Sequence, residues 1–170
     1  MKRLEIRHGE LPADALLRRH ARGYTDCYWV DVPRQVPFAD YVEAFCTAGV
    51  FRIERRLLAW FVARPSTDAQ ARELALGTRD AFAAWTVEAR LADQLLMADF
   101  SGRTRLWLMS APDPARQATR LFLGSAVMPM VAGRSGAASM GFTFRALLGF
   151  HRLYSRILLR TAAERALRNM

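Results

Sequence analysis

Lysine is almost absent from this chain. Lys2 is the single lysine among 25 basic residues, so the net charge of +9 is carried by arginine. The arginines are spread along the chain rather than packed into a run, and they accompany abundant alanine, as a GC-rich genome would produce. The charge reads as a solvated basic surface, which argues against a dedicated nucleic-acid site. Cysteine is scarce as well. Cys27 and Cys46 match no metal or redox spacing, and two free thiols suit a reducing compartment. No stretch approaches the roughly 20 apolar residues that span a bilayer. The longest, Phe142 to Leu159, is interrupted by Arg145, His151, Arg152 and Arg156, which argues against integral membrane association. The start, Met1-Lys2-Arg3-Leu4-Glu5, turns acidic at once and lacks the apolar core of a signal peptide. The expected location is the cytoplasm.

What remains is ordinary globular composition. With 170 residues, 52% hydrophobic and 24% charged, the chain is expected to form one domain with a sizeable core. Residues 1–23 read as a lead-in, with a short helix after Pro12 that Gly23 stops. Tyr24 to Val32 is aromatic and β-branched, with Tyr28, Val30 and Val32 on one face, and predicts the first strand. Phe38, Tyr41, Val42 and Phe45 fall at helical spacing before Gly49. Val50 to Phe61 alternates apolar and charged residues and predicts a second strand. Pro65-Ser66-Thr67-Asp68 signals a short helix over Ala69 to Ala75.

Period two returns at Ala83 to Arg90, with Trp85, Val87 and Ala89 on one face and Thr86, Glu88 and Arg90 on the other. Gln94 to Phe100, Ser101-Gly102 and Arg103 to Ala111 predict a hairpin, Pro112 to Gln117 a loop, and Ala118 to Met128 the last strand. Residues 129–140 are rich in glycine and alanine and predict a flexible connection to a long helix over 141–167. Consecutive strands without βαβ alternation predict an α+β fold. It comprises a curved antiparallel sheet of about six or seven strands, two short helices and a long C-terminal helix packed across it.

That helix divides into two faces. Arg145, Arg152, Arg156 and Arg160 form one stripe, while Phe144, Leu147, Leu148, Phe150, Tyr154, Ile157 and Leu158 cover a wide opposite face. A face that wide docks on a sheet rather than on a lipid surface. His151 falls inside it. It reads either as a core histidine bonded to a carbonyl or hydroxyl, or as the polar group of an apolar pocket, able to bind a ligand or move a proton. Tyr154, three residues on, shares its side.

Polar residues also sit within strands. Glu54 lies between arginines in Phe51-Arg52-Ile53-Glu54-Arg55-Arg56, and Ser125 shares a face with Leu121 and Leu123. Such residues form either solvated ion-pair faces or a network lining a cavity. Catalytic motifs are weak. His8, His20 and His151 make no metal-ligand pair, and Gly124-Ser125-Ala126-Val127 lacks the glycines of a nucleophile elbow. Gly133-Arg134-Ser135-Gly136 lacks the lysine and spacing of a phosphate loop. No cofactor or metal is expected. Trp29, Trp60, Trp85 and Trp107 read as core or cavity walls.

The order of elements resembles the START-like, helix-grip superfamily, which includes polyketide cyclases and lipid-transfer domains. Phe51-Arg52-Ile53-Glu54-Arg55, Trp85-Thr86-Val87-Glu88, Arg105-Leu106-Trp107-Leu108, Leu121-Phe122-Leu123-Gly124-Ser125-Ala126-Val127 and Phe150-His151-Arg152-Leu153-Tyr154-Ser155-Arg156 are also similar to segments of bacterial proteins of like length. The resemblance spans roughly residues 24–165. It implies a cavity between the long helix and the sheet for an apolar or amphipathic small molecule. Glu54, Trp85, Glu88, Trp107, Ser125, His151 and Tyr154 are the residues expected near that cavity. Two alternatives stay open: a cyclase-, dehydratase- or hydrolase-type enzyme with His151 or Glu54 as acid/base, and a basic module for an acidic partner. A homodimer is also left open.

Overall fold

A computed structural model of the chain describes residues 4–51, 66–128 and 140–168, with side chains of the last segment described from residue 151 onward. The fold is α+β. Seven antiparallel strands form one sheet: β1 (Arg7–His8), β2 (Tyr24–Val32), β3 (Ala81–Phe82), β4 (Trp85–Arg90), β5 (Gln94–Asp99), β6 (Thr104–Asp113) and β7 (Ala118–Val127). Their spatial order is β1-β2-β7-β6-β5-β4-β3. Three α-helices lie wholly within the described residues: α1 (Phe38–Thr47), α2 (Asp68–Ala75) and α3 (Met140–Arg168). No helix among the described residues is long and apolar enough to cross a membrane.

Both faces of the sheet are covered, so its central strands are apolar on both sides rather than alternating. On the helix side, Tyr28, Val30, Val32, Leu95, Leu108 and Leu121 pack with α1 and α3. On the other side, Cys27, Leu96, Trp107 and Phe122 pack under a short 3-10 turn, Leu16–His20, which inserts Leu16 and Leu17. Buried Gln94 fastens that turn: its Oε1 accepts from Leu16 N and Trp107 Nε1, both at 2.9 Å. Gly124 is required where the turn comes closest. A Cβ there would stand 2.8 Å from both Leu17 Cδ2 and Trp107 Cε3.

Several expectations hold in detail. β2 has the expected limits, and Thr67 caps α2 with a reciprocal box, accepting from Gln70 N while its own N–H donates to Gln70 Oε1. The β5–β6 hairpin turns at Gly102, whose φ of +69° suits glycine. Asp99 Oδ1 accepts from Arg103 N and Thr104 N within that turn.

Others are corrected. The strand expected from Val50 is not one at its start, because residues 49–51 are helical; the remainder lies outside the described residues. Phe51 itself is buried and packs on Phe45 and Phe82. Seven strands arise instead from two-residue pairings, β1 and β3, too short to leave a periodic pattern. β6 continues through Pro112, where its neighbour β5 has already ended at the register pair Gln94–Met109, and a proline without an N–H is tolerated on an unpaired edge. β4 contains a bulge between Val87 and Ala89. That extra residue reverses the alternation, so Ala89 joins the core under the 3-10 turn while Arg90 donates to Leu74 O at the end of α2. Glu88 and Arg90 therefore do not share a face.

α3 keeps His151, Tyr154 and Leu158 of its expected face toward the sheet but is rotated enough to turn Ile157 outward. Ser155, Leu158, Leu159, Ala162, Ala163 and Ala166 form its buried stripe, whereas Ile157 is 40% exposed. Small residues admit close approach to α1, where Arg165 Nε donates to Thr47 Oγ1 at 2.7 Å. Arg152 and Arg156 are exposed, as their stripe implied. The connection at 129–139, with the Gly133 segment, lies outside the described residues.

Candidate functional site

Asp26 of β2 and Ser125 of β7 are register partners, and the alternation that places Tyr28 and Leu123 toward the helices places these two there as well. Asp26 Oδ1 accepts from Ser125 N at 3.1 Å and from Ser125 Oγ at 2.6 Å. His151 descends from α3, its Nε2 lying 2.8 Å from Ser125 Oγ and 3.0 Å from Asp26 Oδ2. The side chain of Asp26 is 1% exposed and that of His151 30%. A wholly buried carboxylate thus sits beneath a histidine that solvent or a ligand can reach.

Burial alone would raise the Asp26 pKa, but the hydrogen bonds from His151 and Ser125 and the proximity of the imidazole outweigh it and hold the carboxyl below its ordinary value. The proton arrangement that satisfies the group runs from His151 Nε2–H to Ser125 Oγ, and from Ser125 Oγ–H to Asp26 Oδ1. Oδ2 lies 3.0 Å from the same ring nitrogen and pairs with it as an ion pair when the ring is charged. In a nucleophilic triad the carboxylate holds one imidazole nitrogen and the hydroxyl the other. Here both oxygens face Nε2 and the serine gives its proton to the carboxylate. The arrangement does not activate Ser125; it positions His151, whose Nδ1 is the ring's second site for a proton.

Next to this cluster is a groove of about 370 Å³ lined by His8, Tyr28, Arg152, Leu153 and Arg156. Tyr28 follows Asp26 by two residues on the same face of β2. Burial, with the Asp26 charge adding to it, pushes the phenol well above its ordinary value, so it is a neutral donor. Its hydroxyl is buried without a hydrogen-bond partner. Among the described residues, no group of three or more His, Cys, Asp or Glu side chains could hold a metal ion.

The structure brings Ser125 and His151 together. Trp85 and Tyr154 are half-buried against the same helix-side core, and the Trp85 Nε1 is buried without a partner. Glu88 and Trp107 are on the opposite face. Glu88 meets His20 Nε2 at 2.6 Å and Arg105 Nε at 2.5 Å, and Trp107 is fully buried on Gln94. Glu54 lies outside the described residues. Sequence reasoning missed Asp26, Tyr28 and the groove arginines. The available signal was an aspartate in the aromatic strand Tyr24-Thr25-Asp26-Cys27-Tyr28, in phase with Tyr28 and Val30.

No protein-family model and no curated protein matches the chain. Among solved structures it is similar to CalU16 from Micromonospora echinospora, with 14% identity over 96% of this chain and 92% of that one. The TM-score of 0.31 is too low for this likeness to bear on fold or function.

Proposed function

We propose that the chain binds an apolar or amphipathic small molecule between the sheet and α3, with Asp26, Ser125 and His151 as its polar anchor. One observation carries this reading: the Tyr28 hydroxyl, two residues from Asp26 on the helix side of β2, is buried at a groove without a hydrogen-bond partner. Such a group costs about 1–3 kcal/mol, and its place beside an open groove calls for an occupant that completes it. Trp85 and Tyr154 are its apolar walls; Glu54, expected there too, lies outside the described residues. Glu88 and Trp107 stay with the opposite face. The order of elements also agrees with the helix-grip layout, which supports placing the chain in that superfamily.

A second reading draws on His151 alone. Its contact with a buried carboxylate and its partial exposure suit a general acid or base. Native mass spectrometry of the purified chain, paired with fluorescence of N-phenylnaphthylamine, tests the first reading. The expected result is a retained small molecule, or probe fluorescence that Asp26→Asn and His151→Ala weaken. A bare polypeptide mass with no probe fluorescence overturns it. If His151→Gln keeps the molecule bound but abolishes its turnover, the second reading replaces the first.

A further inference from the structure

We infer that the occupant carries an anionic headgroup, a carboxylate or phosphate, held in the groove by Arg152, Arg156 and the Tyr28 hydroxyl. This rests on the binding reading above and specifies the chemical class of ligand.

Arg152 and Arg156 are one helical turn apart on α3, and both line the groove. Like charges at that spacing repel and weaken a helix. Among the described residues neither guanidinium forms an ion pair, so folding gives no reason for the pairing. Between them and the sheet stands Tyr28, 1% exposed, with its hydroxyl unpartnered. Guanidinium groups offer only donors, so they cannot take the phenolic proton. Asp26, the carboxylate nearest along β2, already accepts from Ser125 and faces His151. An anion in the groove supplies the missing acceptor for Tyr28 and the missing counter-charge for both arginines. At about 370 Å³ the groove has room for a headgroup and the first part of a chain. Leu153, on the same wall, offers that chain an apolar surface.

The test is displacement of N-phenylnaphthylamine from the full chain at low salt by laurate, dodecyl phosphate, dodecanol and dodecyltrimethylammonium, with inorganic phosphate as a further arm. Laurate or dodecyl phosphate is expected to displace the probe about tenfold more tightly than dodecanol, the factor for one charge-assisted contact. The tighter of the two names the headgroup. Arg156→Gln lowers the ratio of acid to dodecanol affinity toward one. Tyr28→Phe weakens the acids without lowering the thermal midpoint, since the lost hydroxyl has no partner in the free protein. Equal displacement by dodecanol and the acids overturns the inference while the binding reading stands. So does capture of inorganic phosphate with no preference among the amphiphiles. Displacement by none of them defeats the binding reading as well.

Discussion

Each face of the sheet carries a histidine bonded to a carboxylate, and the two pairs are built differently. Under α3, Asp26 is sealed from solvent and meets a serine and His151. On the other face, Glu88 is 30% exposed and lies between His20 and Arg105. Burial would raise the Glu88 pKa, but hydrogen bonds from His20 and Arg105 outweigh it and hold the carboxylate below its ordinary value. Glu88 uses both oxygens to strap the Leu16–His20 turn to β4 and β6, and this accounts for it fully. Beside Asp26 and its reachable imidazole, the Tyr28 hydroxyl is buried with no hydrogen-bond partner. The comparison teaches that a charged residue within a strand is structural when its bonding capacity is used up. Unused capacity in a buried place points to a ligand.

The largest effect should come from the buried side. Asp26→Ala strands the Ser125 N–H, the Ser125 hydroxyl and His151, and is expected to cost about 3 kcal/mol in urea denaturation. The pH dependence sharpens this. Because the folded pKa of Asp26 is lowered, its contribution is complete above the unfolded value of 3.8 and is lost as pH falls toward the folded one. Acid unfolding of Asp26→Asn should lack that part of the slope. Unchanged slopes would break the distinction between the two carboxylates.

Gln94→Leu probes the opposite face without touching charge. It leaves Leu16 N and the Trp107 indole N–H unpaired in the core, and about 2 kcal/mol of stability should go with them. A neutral outcome would mean that the 3-10 turn is held by Leu16 and Leu17 alone. Glu88→Gln should have the smallest effect, no more than about 1 kcal/mol, and high salt should shrink it further because the pair is partly solvated. A loss as large as that of Asp26→Ala, insensitive to salt, would show that the two clusters are equivalent after all.

How much was legible beforehand follows the range of the interactions. Tyr24–Val32, the β5–β6 hairpin, the Thr67-capped helix and β7 announce themselves through alternation, turn chemistry and capping, all of which act within a few residues. His151 and Ser125 stood out as polar groups among apolar neighbours. Their partner did not, since an aspartate in a strand looks the same whether it faces water or a histidine. The bulge at Val87–Ala89 hid in the same way: a single inserted residue moved Glu88 and Arg90 to opposite faces without disturbing the local pattern.

Local patterning was therefore enough for the α+β class, the antiparallel hairpin and the long last helix, because propensity and periodicity depend on adjacent residues. Assembly settled the rest. The Asp26–Ser125 contact joins residues 99 positions apart, and Ser125–His151 spans 26. Both depend on strand register and on the rotation of α3, where close packing of Ser155, Ala162, Ala163 and Ala166 prevailed over the larger Ile157. A hydropathy pattern weights residues by how apolar they are. Docking buried small side chains along with Leu158 and Leu159, and the close approach they allow set His151 over Asp26.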